Sequence, residues 1–343
     1  MNITQTLKEL TQSTGISGFE TEFSEKVCER LKKYCANASI NKTGSVTGTM
    51  GAYDAEKKTI LLEAHLDRIG LVVSEILEDG FVKFKPMGGV DERTLPASEV
   101  YIIGKEQIYG VIGALPPHLM SGKDKNAELK ISDMLIDTGL TLEEAKSKFS
   151  VGDPIILKSD FTQLAGNIVS SAALDNRAGM TAVFDCLDKL SGKELPYNVK
   201  VAFTTGEELG LHGARTVLAD ETPELAVVVD VTHGRTPDAL AFDTFPLGSG
   251  AIICRGPNLD YEATLKTIDI AKAKSIPYDV EVAAGNTGTN AWMLQVSGSG
   301  VPCVLISIPL RYMHTVVETI DTKDIECVGR LMAEMICGGE IIA

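Results

Sequence analysis

The sequence predicts an α/β protein: a three-layer unit with a mostly parallel central sheet, interrupted by an inserted β-rich unit that is PDZ-like or barrel-like. Two observations carry this. Thr59–Leu66 (TILLEAHL), Val199–Thr205 (VKVAFTT), Leu225–Asp230 (LAVVVD) and Val301–Pro309 (VPCVLISIP) are near-continuous apolar, β-branched runs, the signature of strands covered on both faces. Between Arg68 and Gln163 the texture changes to short alternating segments (LVVSEI, FVKFKP, VYIIG, IYGVIGAL, PIILKS) separated by the turn signals EDG, MGG and PPH. Residues 1–67 and 164–343 are therefore assigned to one α/β unit, and 68–163 to the insert.

The first half-unit opens with a helix, since Ile3, Leu7 and Leu10 fall at helical spacing, and a second helix is expected from Gly18 to Tyr34 after the turn signal at Thr14–Gly18. Asn41–Asp54, rich in Gly, Thr and Lys, reads as a half-exposed hairpin. In the insert, Thr141–Lys148 (TLEEAKSK) reads as one helix with Thr141 as N-cap and Glu144 completing a capping box. After Gly166 the α/β pattern resumes, with Asp175 placed immediately before a helix spanning Arg177–Leu190.

Composition bounds the function. The 343 residues carry a net charge of -15 with 23% charged and 44% hydrophobic residues, an ordinary soluble globular balance. With no basic run, such a chain lacks the face that phosphate-rich nucleic acid or anionic membrane requires. Seven scattered cysteines without a CxxC pair suit reduced thiols rather than a disulfide frame or zinc knuckle. The beginning, MNITQTLKEL, lacks a basic-then-apolar leader, so the expected location is the cytoplasm.

Several of the apolar runs end in a His, Asp or Glu, and one more Asp opens a helix. Glu207 and Glu208 follow Val199–Thr205, at the carboxyl edge where ligands bind in open α/β sheets. Neighbouring residues face differently, so one glutamate can hold a metal while the other handles a proton; the plainer reading is an acidic pair opening a helix, suited to its dipole. His65 closes TILLEAHL, and period-two alternation puts Asp67 on the same side, where it can accept the second imidazole N–H. Asp175 can be a simple N-cap, Asp230 a loop cap and His314 a surface histidine. Together, however, His65, Asp175, Glu207, Glu208, Asp230 and His314 form what a two-metal hydrolytic site requires: two divalent ions about 3.5–4 Å apart, with imidazole and carboxylate ligands suited to zinc, cobalt or manganese. Two such ions against three carboxylates and one bridging hydroxide are neutral, which leaves one glutamate free as general base.

The motifs AHLD, ALDNRAG, GEELGLHGA, VVVDVTHG and IPLRYMH, with PPHL in the insert, resemble the tetrahedral, or deblocking, aminopeptidase family of dinuclear metallopeptidases, in the family's order and over nearly the whole chain. The resemblance implies that His65 and Asp230 hold one metal, Glu208 and His314 the other, Asp175 bridges them, Glu207 is the base and Asp67 orients the site. It implies cleavage of peptides that have a free amino terminus, a cis bond between Asp175 and Asn176, and an insert that helps dimers build a hollow dodecamer. Arg68 stands where the family has an acid, Gly206 where many relatives have Gln, and TGTNAW, with Asn290, where TDAG is commoner; these positions flank the metals and remove no ligand. The alternatives are a dinuclear deacylase or carboxypeptidase acting on small amides, or an inactive assembly scaffold. The cellulase label of some relatives fits poorly, because glycoside hydrolysis uses paired carboxylates and leaves both histidines without a purpose. His118, His212 and His233 are expected to be structural or supporting, the latter two in loops beyond the strand ends. Arg255, if it points inward, would favour acidic side chains.

Overall fold

The computed structural model describes residues 1–343 except 117, 120–128, 219–221, 238, 339 and 343. Its main sheet has eight strands in the order 39–40, 46–50, 198–204, 59–65, 225–233, 303–310, 251–255, 278–282, and the four central ones (Asn198–Thr204, Thr59–His65, Leu225–His233, Cys303–Leu310) run parallel. These are the four apolar runs, trimmed or extended by one to three residues. The expected hairpin forms, antiparallel, from Ser39–Ile40 and Val46–Met50.

Alternation along the strands divides the interior into two layers. Ile60, Leu62 and Ala64 join Val183, Phe184, Leu187, Val328 and Met332 of the helices Leu174–Leu190 and Thr322–Gly338. Leu61, Ala202 and Val228 face the short helices His212–Thr216 and Asn290–Leu294 through Ala214, Ala291 and Leu294. Each fully buried Leu, Ile or Val contributes roughly 1.5–3 kcal/mol relative to exposure, so both layers are held by ordinary apolar transfer. Among the described residues no helix is long and apolar enough to cross a membrane, and no cysteine forms a disulfide.

The insert is a closed six-stranded antiparallel barrel in the order 70–76, 82–87, 134–137, 107–114, 99–103, 154–157. Its inward positions, among them Leu71, Val73, Val82, Phe84, Val100, Ile102, Ile136 and Ile155, form a separate core, and closure gives every strand a neighbour on both sides, although 82–87 meets 134–137 only through Val82 and Ile136. The helix Leu142–Lys148 has Thr141 as N-cap and the capping box in both directions.

Several details differ from expectation. The second helix is shorter, Thr21–Leu31, ending before a turn at residues 32–34. The long helix begins at Leu174, but Asp175 and Asn176 have non-helical backbone, so regular helix still starts near Arg177. Met134–Asp137, Ala251–Arg255, Tyr278–Val282 and the helix Thr322–Gly338 are among the elements not read from sequence, as is a small antiparallel sheet of Thr162–Gln163, Ile168–Ser170 and Thr319–Asp321. In the PPHL stretch, position 117 lies outside the described residues.

Candidate active site

The parallel order brings the six ionisable residues to one edge. His65 ends its strand, Asp230 lies near the end of the next, Glu207 and Glu208 follow Asn198–Thr204, His314 follows Cys303–Leu310, and Asp175 enters from the head of the long helix. All six line one cleft of about 680 Å³. Asp67 is fully buried behind it.

The two histidines are arranged alike. His65 Nε2 lies 3.0 Å from Asp175 Oδ1 and 3.7 Å from Asp230 Oδ1, while its Nδ1 faces the Asp67 carbonyl at 3.1 Å. His314 Nε2 lies 3.3 Å from both Asp175 Oδ2 and Glu208 Oε2, while its Nδ1 faces the Gly89 carbonyl at 2.8 Å. An Nδ1–H donated to a carbonyl leaves the Nε2 lone pair directed at the carboxylates, the tautomer a metal ligand needs. Asp175 thus offers one oxygen to each trio, and the donor atoms of each trio, His65–Asp175–Asp230 and Asp175–Glu208–His314, lie within 4.8 Å of one another.

Supporting contacts explain how buried charge is held in place. The alternation argument placed the Asp67 carboxylate on His65, but it lies 3.5 Å away and the carbonyl takes the closer position. The carboxylate instead accepts Ser17 Oγ–H at 2.5 Å and the N–H groups of Glu207 and Glu208 at 3.1 and 3.2 Å, which fixes the paired glutamates. Glu318 does the same for the other trio: it accepts the N–H of His314 at 2.8 Å and that of Asp175 at 3.2 Å. Glu318 was not read from sequence, and its signal is one acid set in the apolar run VVETI. The Asp175–Asn176 bond is cis, as the resemblance implies.

The electrostatics follow from this crowding. Burial, reinforced by Asp230, Asp175 and Glu208, pushes Glu207 up to about 9. Burial also raises Glu208 and Asp230. For His314 burial acts downward, yet the Asp175 and Glu208 carboxylates carry it up to about 11. A cluster of buried carboxylates answered by two imidazoles, with the Arg68 guanidinium near Glu318 and Glu208, fits divalent cations, whose charge relieves the desolvation and the mutual repulsion together. The donors are imidazole nitrogen and carboxylate oxygen, a set compatible with zinc, cobalt or manganese.

Other sequence-marked residues fall elsewhere. His233 is the last residue of its strand and lines the cleft, and His212 opens a short helix, so neither occupies a loop beyond a strand end. His118 is exposed in a turn. Arg255 lies 5.5 Å from the Tyr261 ring and lines a separate hollow, because its strand turns Cys254 rather than Arg255 to the cleft. Arg68 is buried against the barrel, its guanidinium 3.4 Å from the Leu157 carbonyl.

A sheet edge that gathers imidazoles and carboxylates around a cleft suits metal-assisted hydrolysis. The family model for M42 glutamyl aminopeptidase matches residues 44–331, and the chain belongs to that family. It is similar to a lysyl aminopeptidase of Pyrococcus furiosus, 30% identical with 93% of this chain and 92% of that protein covered. Among solved structures it is similar to a TET aminopeptidase of a marine sediment Thaumarchaeota archaeon, 30% identical with a TM-score of 0.92 over 98% of this chain and 96% of that one. It is also similar to the TET1 peptidase of Pyrococcus horikoshii, which can assemble into a tetrahedron or a large octahedral shell, at 29% identity and a TM-score of 0.85 over 98% and 99%.

Proposed function

We propose that the chain removes N-terminal residues from peptides with two divalent metal ions, zinc or cobalt in the first instance. His65 and Asp230 would hold one ion, Glu208 and His314 the other, and Asp175 would contribute to both. The carrying observation is the split of Asp175, with one oxygen toward each histidine. What such ions supply when bound is polarisation of the scissile carbonyl and a more acidic water. Glu207 would act as the general base, taking a proton from the attacking water and returning it to the leaving amine, a role open to it because neither donor trio includes it. Asp67 keeps Glu207 and Glu208 in register through their N–H groups.

Selectivity follows from the cleft wall. Glu281 lines it, accepting Thr232 Oγ1–H at 2.8 Å, and no Lys or Arg is among its described lining residues. Coulomb attraction then favours a basic first side chain over an acidic one, in keeping with the similar lysyl aminopeptidase and against the family's glutamyl description. The segment 68–163 is proposed as the assembly unit of a dodecamer built from dimers, by analogy with the tetrahedral TET1 peptidase. A panel of aminoacyl-anilides with and without chelator tests the activity: hydrolysis that survives full chelation, or a preference for N-blocked substrates, overturns it.

A further inference from the structure

The TGTNAW segment diverges from the family pattern, and the structure gives it a task. The Asn290 side chain is 1% exposed at the head of the helix Asn290–Leu294. Its amide Nδ2 donates to Glu63 Oε1 at 2.7 Å and to Thr204 Oγ1 at 2.9 Å, and Thr204 Oγ1 in turn donates to the same Glu63 oxygen at 2.6 Å. Glu63 is fully buried two residues before His65, and Thr204 closes the strand that leads to the paired glutamates. Immediately before Asn290, residues 286–289 form part of the cleft wall. One amide group therefore ties that wall to two of the strands from which site residues emerge, the one that ends in His65 and the one that leads to Glu207 and Glu208.

We infer that Asn290 is a positioning residue that pins the 286–289 wall of the peptide cleft, and that the pin has a polarity: a donor at 290 and an acceptor at 63. Both Nδ2 contacts are made to oxygens, so a side chain with oxygen alone at this position faces Glu63 acceptor to acceptor. A buried polar pair mismatched in this way loses its hydrogen bond and keeps its desolvation cost. The wall is then released while the metal-binding trios, which Asn290 does not touch, keep their partners. The inference deepens the aminopeptidase reading and rests on it for its kinetic part alone.

The test is a polarity swap. Asn290→Asp and Glu63→Gln each break the pair, and the double variant restores one donor and one acceptor with the roles exchanged. Each single change is expected to raise KM for a preferred aminoacyl-anilide about tenfold with a smaller effect on kcat, and to speed amide hydrogen exchange across 286–294 about tenfold. Metal content should stay unchanged, and the double variant should recover both readouts to within about threefold. Asn290→Ala removes the donor without adding charge, and serves should Asn290→Asp fail to fold; it should move KM and exchange in the same direction. If either single variant that folds keeps wild-type KM and exchange, or if the double variant is no better than the singles, the inference is overturned. Absence of any anilide hydrolysis by the metal-loaded wild type would instead sink the functional reading, with the exchange measurement still deciding the pin.

Discussion

The barrel interior and the sheet's carboxyl edge are both shielded from water, but they are stable for opposite reasons. Phe84, Val100, Ile102 and Ile136 lose little by leaving solvent and gain from one another. Asp67, Asp175, Asp230 and His65 are buried to a similar degree and lose much, and what they recover comes from Ser17, from the pairing of imidazole with carboxylate, and from main-chain N–H groups and carbonyls placed around them. The barrel core is completed by its own chain, whereas the edge collects more negative charge than its chain neutralises. Burial without self-sufficiency marks the place that expects something from outside.

The strongest way to sharpen this contrast is to change chemistry at the edge without changing its charge partners. Glu207→Gln should lower turnover by roughly 10²–10⁴ with both metals and the fold kept, whereas Glu208→Gln should lower metal content; elemental analysis beside turnover decides, and loss of metal in the first variant with retention in the second would reverse the two roles. Phe84→Ala attacks the other region. It should cost about 3–5 kcal/mol in denaturant unfolding, with kcat per folded subunit unchanged, and a matching fall in kcat would show that the two regions are not separable. Chelation comes next in size. Adding a divalent ion at a hundred times its Kd should stabilise wild type by about 2.7 kcal/mol, and Phe84→Ala by the same amount, but leave Asp175→Asn unmoved in a thermal melt. The smallest effect concerns the cleft wall: Lys-anilide should outrun Glu-anilide by about tenfold, and Glu281→Gln should close that gap. Equal rates on both substrates in wild type would remove Glu281 from any selective role.

The same contrast explains what could be read from sequence. The four central strands were legible because burial on both faces leaves an unbroken apolar run, and the barrel because burial on one face leaves alternation. Tyr278–Val282 has neither pattern, being half-exposed at the sheet's rim, and Met134–Asp137 is only four residues long. The helix Thr322–Gly338 does carry helical spacing at Ile325, Val328 and Met332, but no chemical motif draws attention to it. At the edge, the residue types and their order pointed to one cluster, and the structure assembles the six that line the cleft. The partners that hold them were illegible, since Asp175 and Glu318 are 143 positions apart and a carbonyl such as that of Asp67 or Gly89 leaves no trace in composition. The sequence leaves open whether Arg255 points inward for a related reason: a single register step decides which side of a strand meets the cleft.

Gly89 has a consequence for anyone who wishes to exchange modules. Its carbonyl meets His314, and a Cβ built on it would lie 2.8 Å from His314 Nδ1; one on Gly88 would lie 3.3 Å from the Glu208 side chain. The barrel thus lends a fingertip of bare backbone to the centre of another module. A chimera that grafts a foreign barrel onto this sheet must match that dipeptide in length and in lack of side chain, whatever freedom it takes with the remaining surface. Residue conservation scored on the sheet alone would overlook the requirement, because the constraint belongs to a loop whose own module has no use for it.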